Sequence, residues 1–217
     1  MHGAPGGRRC GGCGPKLAEK VKQHAEAIKV GEGMGEGVEM GPVISARAKT
    51  RIVDLIDDAE KRGSKVVLDG RGLTVPGYEN GHFLGPTILD DVPLDAPVYT
   101  EEVFGPVLAV VHADTYDEAL KIVNAQPFGN GSAIFTNDGG IARRFTLDVE
   151  AGMVGVNVPI PTPVAFYSFG GWKESLLGDT HIHGPEGVNF YTRAKAITER
   201  WLTEKTYAAT MSFQREE

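Results

Sequence analysis

Segments with helical spacing alternate with short β-branched runs along most of the chain, and this alternation limits the fold more than any single motif does. It is clearest between Thr115 and Asn157. Thr115 and Glu118 make a capping-box pair that opens the helical run TYDEALKIVNAQ, which ends before Pro127. GSAIFT follows as a buried strand. Asp138 then opens DGGIARRFTLDVE, with Ile141, Phe145 and Val149 on one side, and GMVGVN is the next strand. The first half repeats the theme. Pro15 suits a helix start, Leu17, Val21, Ala25 and Ile28 share a face, and Gly31 suits a stop. Ser45 can cap a second helix whose face is Ile52, Val53, Ile56 and Ala59 and whose stop is Gly63. KVVLDG, GPTILDDV and GPVLAVVHA read as strands, and RGLTVPGYENGHF between them carries turn chemistry at Pro76-Gly77 and Asn80-Gly81, a hairpin-like excursion. After Asn157 the chain is irregular and rich in proline, glycine and aromatics, until AKAITERW (residues 194–201) reads as an alternating strand. The sum predicts an α/β fold, a parallel-core sheet flanked by helices.

Composition excludes several classes of partner. The formal net charge of −7, with lysines and arginines scattered, argues against a nucleic-acid surface. No apolar run approaches the length that crosses a bilayer, so no membrane partner is expected. The opening arginines precede no apolar stretch, so no secretion signal is readable. With 217 residues, 41% of them hydrophobic, the chain can bury a real core. GEGMGEG has the glycine density of a phosphate loop, but it follows a helix, and Glu32, Glu36 and Glu39 would repel a pyrophosphate; it reads as a solvent-exposed loop.

Four stretches could carry chemistry. In YTEEVFGPV a glutamate at a strand mouth can accept hydrogen bonds from a sugar diol, and the aromatic two residues on can pack against a flat ring; the same residues also suit a strand-initiating turn with solvated acids. Asn157 ends an apolar strand where α/β proteins place ligands, or else caps the following loop as an Asx turn. In FYSFGGWKESLLGDTHIHGPEG, Gly170-Gly171 permit close backbone approach between Phe169 and Trp172. His181 and His183 alternate, but no third ligand has metal-site spacing, so no metal is expected. Cys10 and Cys13, the only cysteines, lie in GGRRCGGCGPK; a redox pair of this spacing normally opens a helix in a thioredoxin-like frame, which is lacking here.

Taken together, EEVFGPV, AQPFGNGSAIFT, AGMVGVN and SFGGWKES occur in the order found in the C-terminal catalytic domain of the aldehyde dehydrogenase superfamily, which this sequence resembles. LDGRGLTVPGYENGHFLGPTI, NVPIPTPVAF and GDTHIHGPEGVNFYT are similar to its methylmalonate-semialdehyde dehydrogenase branch, which is CoA-acylating. The likeness runs from about Leu17 to Trp201. It implies residues 1–15 as a disordered or remnant leader, 16–192 as part of the catalytic domain, and 193–217 as an oligomerisation strand and tail.

The resemblance also implies roles. Glu102 matches the glutamate that hydrogen-bonds the nicotinamide ribose, Phe104 the aromatic beside it, Asn157 an asparagine near the substrate pocket, and Phe169 a loop bordering the active site. The family oxidises an aldehyde with NAD: a cysteine thiolate attacks the carbonyl, hydride leaves the thiohemiacetal, and in this branch CoA takes the acyl group. GGRRC resembles the nucleophile step, with Arg9 facing a substrate carboxylate and Cys10 as candidate nucleophile. The family's cysteine leads into an apolar strand, whereas Cys10 leads into GGCGPK, so the stretch reads either as a remnant of that step or as a leader that resembles it by chance. The family's Rossmann-type cofactor domain and general-base glutamate are not matched. NAD and CoA are therefore implied for the family, with neither held tightly by this chain alone, and the chain alone is expected to be inactive. The 194–201 strand implies a homo-oligomer or a full-length homologue as partner; the alternative to an enzyme is a non-catalytic module that joins full-length subunits. The family's compartments are the bacterial cytoplasm and the mitochondrial matrix.

Overall fold

The computed structural model describes residues 14–199 and 201. Helix α1 (Gly14–Glu26) ends five residues before Gly31. From there Lys29 turns the glycine-rich loop back on itself: its amide donates to the Glu39 carboxylate at 3.1 Å, its ammonium donates to the Glu36 carbonyl at 2.7 Å, and Val30 bridges Met40. Helix α2 (Ala46–Lys61) begins where Ser45 Oγ accepts from the Ala48 amide at 3.1 Å. It stops in a Schellman motif, Ser64 N–H donating to Ala59 and Gly63 N–H to Glu60, with Gly63 at φ +102°. Its buried stripe is Ile52, Leu55, Ile56 and Ala59.

Strands β1 (Lys65–Leu68) and β2 (Thr87–Asp90) are antiparallel neighbours, so the excursion between them is the connection of a wide hairpin. Both expected turns form within it, Tyr78 N–H donating to Val75 and Gly81 N–H to Tyr78, and Gly77 takes φ +82°. A short helix α3 (Pro97–Thr100) precedes β3 (Val107–Ala109), which runs parallel to β2 and completes the sheet order β1-β2-β3. Ile52, Ile56, Leu89, Val98 and Tyr99 are buried together where α2 and α3 cover this sheet.

Helix α4 (Tyr116–Asn124) opens with Thr115 Oγ1 accepting from Glu118 N–H; the Glu118 carboxylate accepts from the amide of Asp114, one residue before the cap. Strands β4 (Phe128–Gly129) and β5 (Gly131–Ile134) follow, then α5 (Gly139–Asp148), capped by Asp138 Oδ1 on the Ile141 amide, and β6 (Met153–Val156), parallel to β5. Phe145, Val149 and Ala151 form the second core cluster, against Leu120, Ile134 and Val154. Strand β7 (Trp172–Lys173) pairs antiparallel with β4, and α6 (Pro185–Tyr191) is the last helix described.

The mixed α/β architecture agrees with expectation; β2·β3 and β5·β6 are its parallel pairs. One element departs from it. Residues 194–199 of the expected 194–201 strand form no ladder, and all are exposed. A strand is defined by a hydrogen-bonded partner, and the described residues offer none to that segment.

Candidate functional site

The segment that carries Glu102 and Phe104 is held between α3 and β3. Glu101 N–H donates to Pro97 at the end of α3, and the Pro106 carbonyl accepts from Thr87 at the start of β2. Between these anchors Phe104 takes φ +53°, a region costly for any residue with a Cβ, and leaves its ring 74% exposed. The Glu102 side chain is half-buried. Arg51 of α2 reaches across to this segment: Nη1 donates to the Val103 carbonyl at 3.0 Å, and Nη2 to the Glu102 carbonyl at 2.9 Å and the Glu101 carboxylate at 3.1 Å. Nothing in the sequence flags Arg51, because its partners lie some fifty positions away.

Asn157 follows β6 at φ +56°, a conformation asparagine tolerates better than most residues. Its side chain clamps the backbone of Thr136: Oδ1 accepts from the Thr136 amide at 2.9 Å and Nδ2 donates to the Thr136 carbonyl at 3.0 Å. This is not the Asx turn considered for Asn157: its partner lies 21 positions earlier, just past β5, so the side chain ties the exit of β6 to that of β5, where the loop toward β7 begins.

The end of that loop packs on the segment that follows β7, with Gly184 N–H donating to the Ala165 carbonyl at 3.1 Å. Ser168 Oγ donates to the Glu186 carboxylate and lies 3.2 Å from His181 Nδ1, while the His181 amide donates to the same carboxylate at 3.1 Å. Phe169 stacks on His183 with ring centroids 4.3 Å apart and planes at 5°. Lys173, at φ +53°, turns its ammonium onto the Asn124 and Gln126 carbonyls at the C-terminal end of α4, at 2.6 and 3.1 Å, and onto the Glu150 carboxylate at 2.7 Å. Sequence reasoning missed Ser168, Glu186 and Lys173.

The hydrogen bond from Ser168, then that from the His181 amide, hold the Glu186 carboxyl below its ordinary 4.5. A depressed carboxylate stabilises the fold fully above its unfolded value and loses that contribution as pH falls through its folded value. Thermal stability should therefore fall faster below about pH 4.5 in the native chain than in Glu186→Gln. Parallel melting curves of the two across that range would show that the Glu186 contacts contribute nothing.

His181 and His183 are engaged as described and do not converge. Among the described residues, one group, Asp90, Asp91 and His112, could converge on a cation, and the Lys65 ammonium already sits 2.6 Å from the Asp91 carboxylate. Glu102 and Phe104 stand at the entry to β3, Asn157 at the exit of β6 and Phe169 before β7, so the candidate residues are distributed over three sheets. Arg9 and Cys10 lie outside the described residues.

The chain belongs to the aldehyde dehydrogenase family, which it matches over residues 12–197. It is 48% identical over 193 residues to malonate-semialdehyde dehydrogenase of Pseudomonas aeruginosa, covering 89% of this chain and 39% of that protein. It is 48% identical over 190 residues to the mitochondrial, acylating methylmalonate-semialdehyde/malonate-semialdehyde dehydrogenase of Bos taurus, covering 88% of this chain and 35% of that one. The crystal structure of methylmalonate-semialdehyde dehydrogenase from Oceanimonas doudoroffii superposes with a TM-score of 0.87 at 43% identity, over 92% of this chain and 41% of that chain. The aldehyde dehydrogenase of Mycobacterium tuberculosis complexed with NAD+ superposes at 0.76 and 29% identity, over 86% of this chain and 37% of that one. The chain thus spans well under half the length of these relatives.

Proposed function

We propose that this chain carries the nicotinamide-ribose side of a semialdehyde dehydrogenase of the methylmalonate-semialdehyde, CoA-acylating type. The observation that carries the reading is the Glu102-Phe104 step. A half-buried carboxylate and an exposed ring, held in a left-handed turn, fit a vicinal diol beside a flat heterocycle. NAD, when bound, supplies the hydride acceptor. The residues of this chain do the rest: Glu102 accepts from the ribose hydroxyls, Phe104 limits where the ring sits, and Asn157 orients the loop bordering the substrate. CoA as acyl acceptor is supported by the acylating relatives, and Cys10 is the candidate nucleophile.

Two contacts of about 1 kcal/mol net each are small beside the cost of association, so the described residues alone hold NAD weakly, and this chain alone should show no dehydrogenase turnover. An NMR titration with NAD at millimolar concentration tests the site. Resonances of Glu102 and Phe104 should move, and Glu102→Gln should weaken the response about tenfold. Changes confined to other residues would overturn the assignment.

A second reading rests on a different observation. Ile160, Phe166, Leu177, Phe190, Tyr191 and Trp201 are all more than half exposed, an apolar spread that a lone soluble chain rarely presents. Together with residues 194–199, which join no ladder among the described residues, it supports a subunit-joining role, with a second copy or a full-length homologue as partner. Light scattering that finds only monomer, with no co-purification of a full-length homologue, would sink it.

A further inference from the structure

We propose that Arg51 is a positioning residue for the ligand contact at Glu102, an inference that rests on the ribose reading above. The guanidinium is planar, and its two terminal nitrogens bond two consecutive carbonyls, Glu102 and Val103, plus the Glu101 carboxylate. With both carbonyls held, neither peptide plane can rotate; the first adjoins Glu102 Cα and the second Phe104 Cα, so one fork restrains the backbone from which both side chains leave. The same cation makes an ion pair with the Glu101 carboxylate at 3.1 Å.

The neighbouring side chain completes the lock. Ile52 follows Arg51 in α2 and packs so closely on Gly105 that a Cβ there would lie 2.5 Å from Ile52 Cδ1. Phe104 is thus fixed from both sides, by the Arg51 fork before it and the Ile52 contact after it, which is how a left-handed non-glycine residue persists. Arginine is required for this. A lysine ammonium is a point charge without the planar fork, so it can satisfy one acceptor well but cannot hold two successive carbonyls and a carboxylate in register.

NMR spectroscopy of the chain, with nicotinamide mononucleotide as probe, tests the inference. In Arg51→Gln the carbonyl resonances of Glu102 and Val103 and the ring resonances of Phe104 should shift, while those of Ile56 and Leu89 in the core stay in place. Probe affinity should fall about tenfold, the scale of one well-placed hydrogen bond to a charged group. Arg51→Lys should recover only a minor part of that loss. Because Arg51 acts through Glu102, Arg51→Gln should add no further loss in a Glu102→Gln background. Unshifted carbonyls in Arg51→Gln, or full recovery by lysine, would overturn the positioning role. Probe binding indifferent to Glu102→Gln would instead overturn the ribose reading, and the carbonyl resonances would still decide whether Arg51 orients the segment.

Discussion

Gly152→Ala should lower the unfolding free energy by about 3 kcal/mol or more, a large share of the stability of a small domain. An added Cβ would fall on the carbonyl oxygen of Gly170, 2.9 Å from its carbon and 3.1 Å from that of Gly171. These are backbone atoms with no rotamer to change, so one chain segment must move. Neither moves cheaply. Gly152 donates to the Gly129 carbonyl at 2.9 Å and follows Ala151, which is buried against Phe145 and Val149. The Gly170-Gly171 segment leads into Trp172, which pairs with Gly129, and a Cβ on Gly129 would itself lie 2.7 Å from the Glu150 carbonyl. Three segments therefore meet backbone to backbone, and displacing one carries Ser168 and Phe169 away from Glu186 and His183. Urea unfolding measures the cost, with Gly139→Ala as control, since nothing lies within 4 Å of a Cβ there. Equal stability of the two variants would show that the close approach at Gly152 costs nothing to relieve.

Features specified by neighbouring residues were legible from the sequence, and features specified across the chain were not. Ser45, Thr115 and Asp138 each cap the helix they were expected to open, because a cap is a contact between residues three apart. Gly63 ends α2 in the left-handed region for the same local reason. Helices α3 and α6 escaped, although Pro97 and Pro185 stand at their starts: four and seven residues are too few to show a helical period. The site divides likewise. Glu102, Phe104 and Asn157 stood out by position at strand ends, but Arg51, which bonds the Glu102 and Val103 carbonyls, reaches them only once α2 lies beside the segment that leads into β3. The 194–201 segment shows the converse, since its alternation is readable while its partner is not part of the chain's own described contacts. Alternation fixes which side chains share a face and leaves open what pairs with the edge.

Ile52 and Gly105 should behave as a coupled pair, and the coupling bears on the ligand site. Ile52 is 1% exposed at the centre of the first core cluster, so Ile52→Ala should cost about 2–5 kcal/mol from lost burial and the cavity left behind. Gly105 is not in the left-handed region; what it supplies is room. A methyl there would sit 2.5, 3.1 and 3.3 Å from Cδ1, Cγ1 and Cγ2 of Ile52, and a side chain packed on all sides cannot yield, so Gly105→Ala should cost about 1–3 kcal/mol. In the double variant the new methyl enters the space the isoleucine vacated. Its cost should fall short of the sum by at least about 1 kcal/mol, as expected for residues in direct contact. Denaturant unfolding of the four proteins gives that difference directly. The ring resonances of Phe104 supply the link to function: Ile52→Ala should move them, because the contact after the left-handed turn is gone, and Gly105→Ala in that background should move them part of the way back. Strict additivity in stability, with Phe104 unmoved in every variant, would mean that the turn presenting Glu102 and Phe104 is set by Arg51 alone.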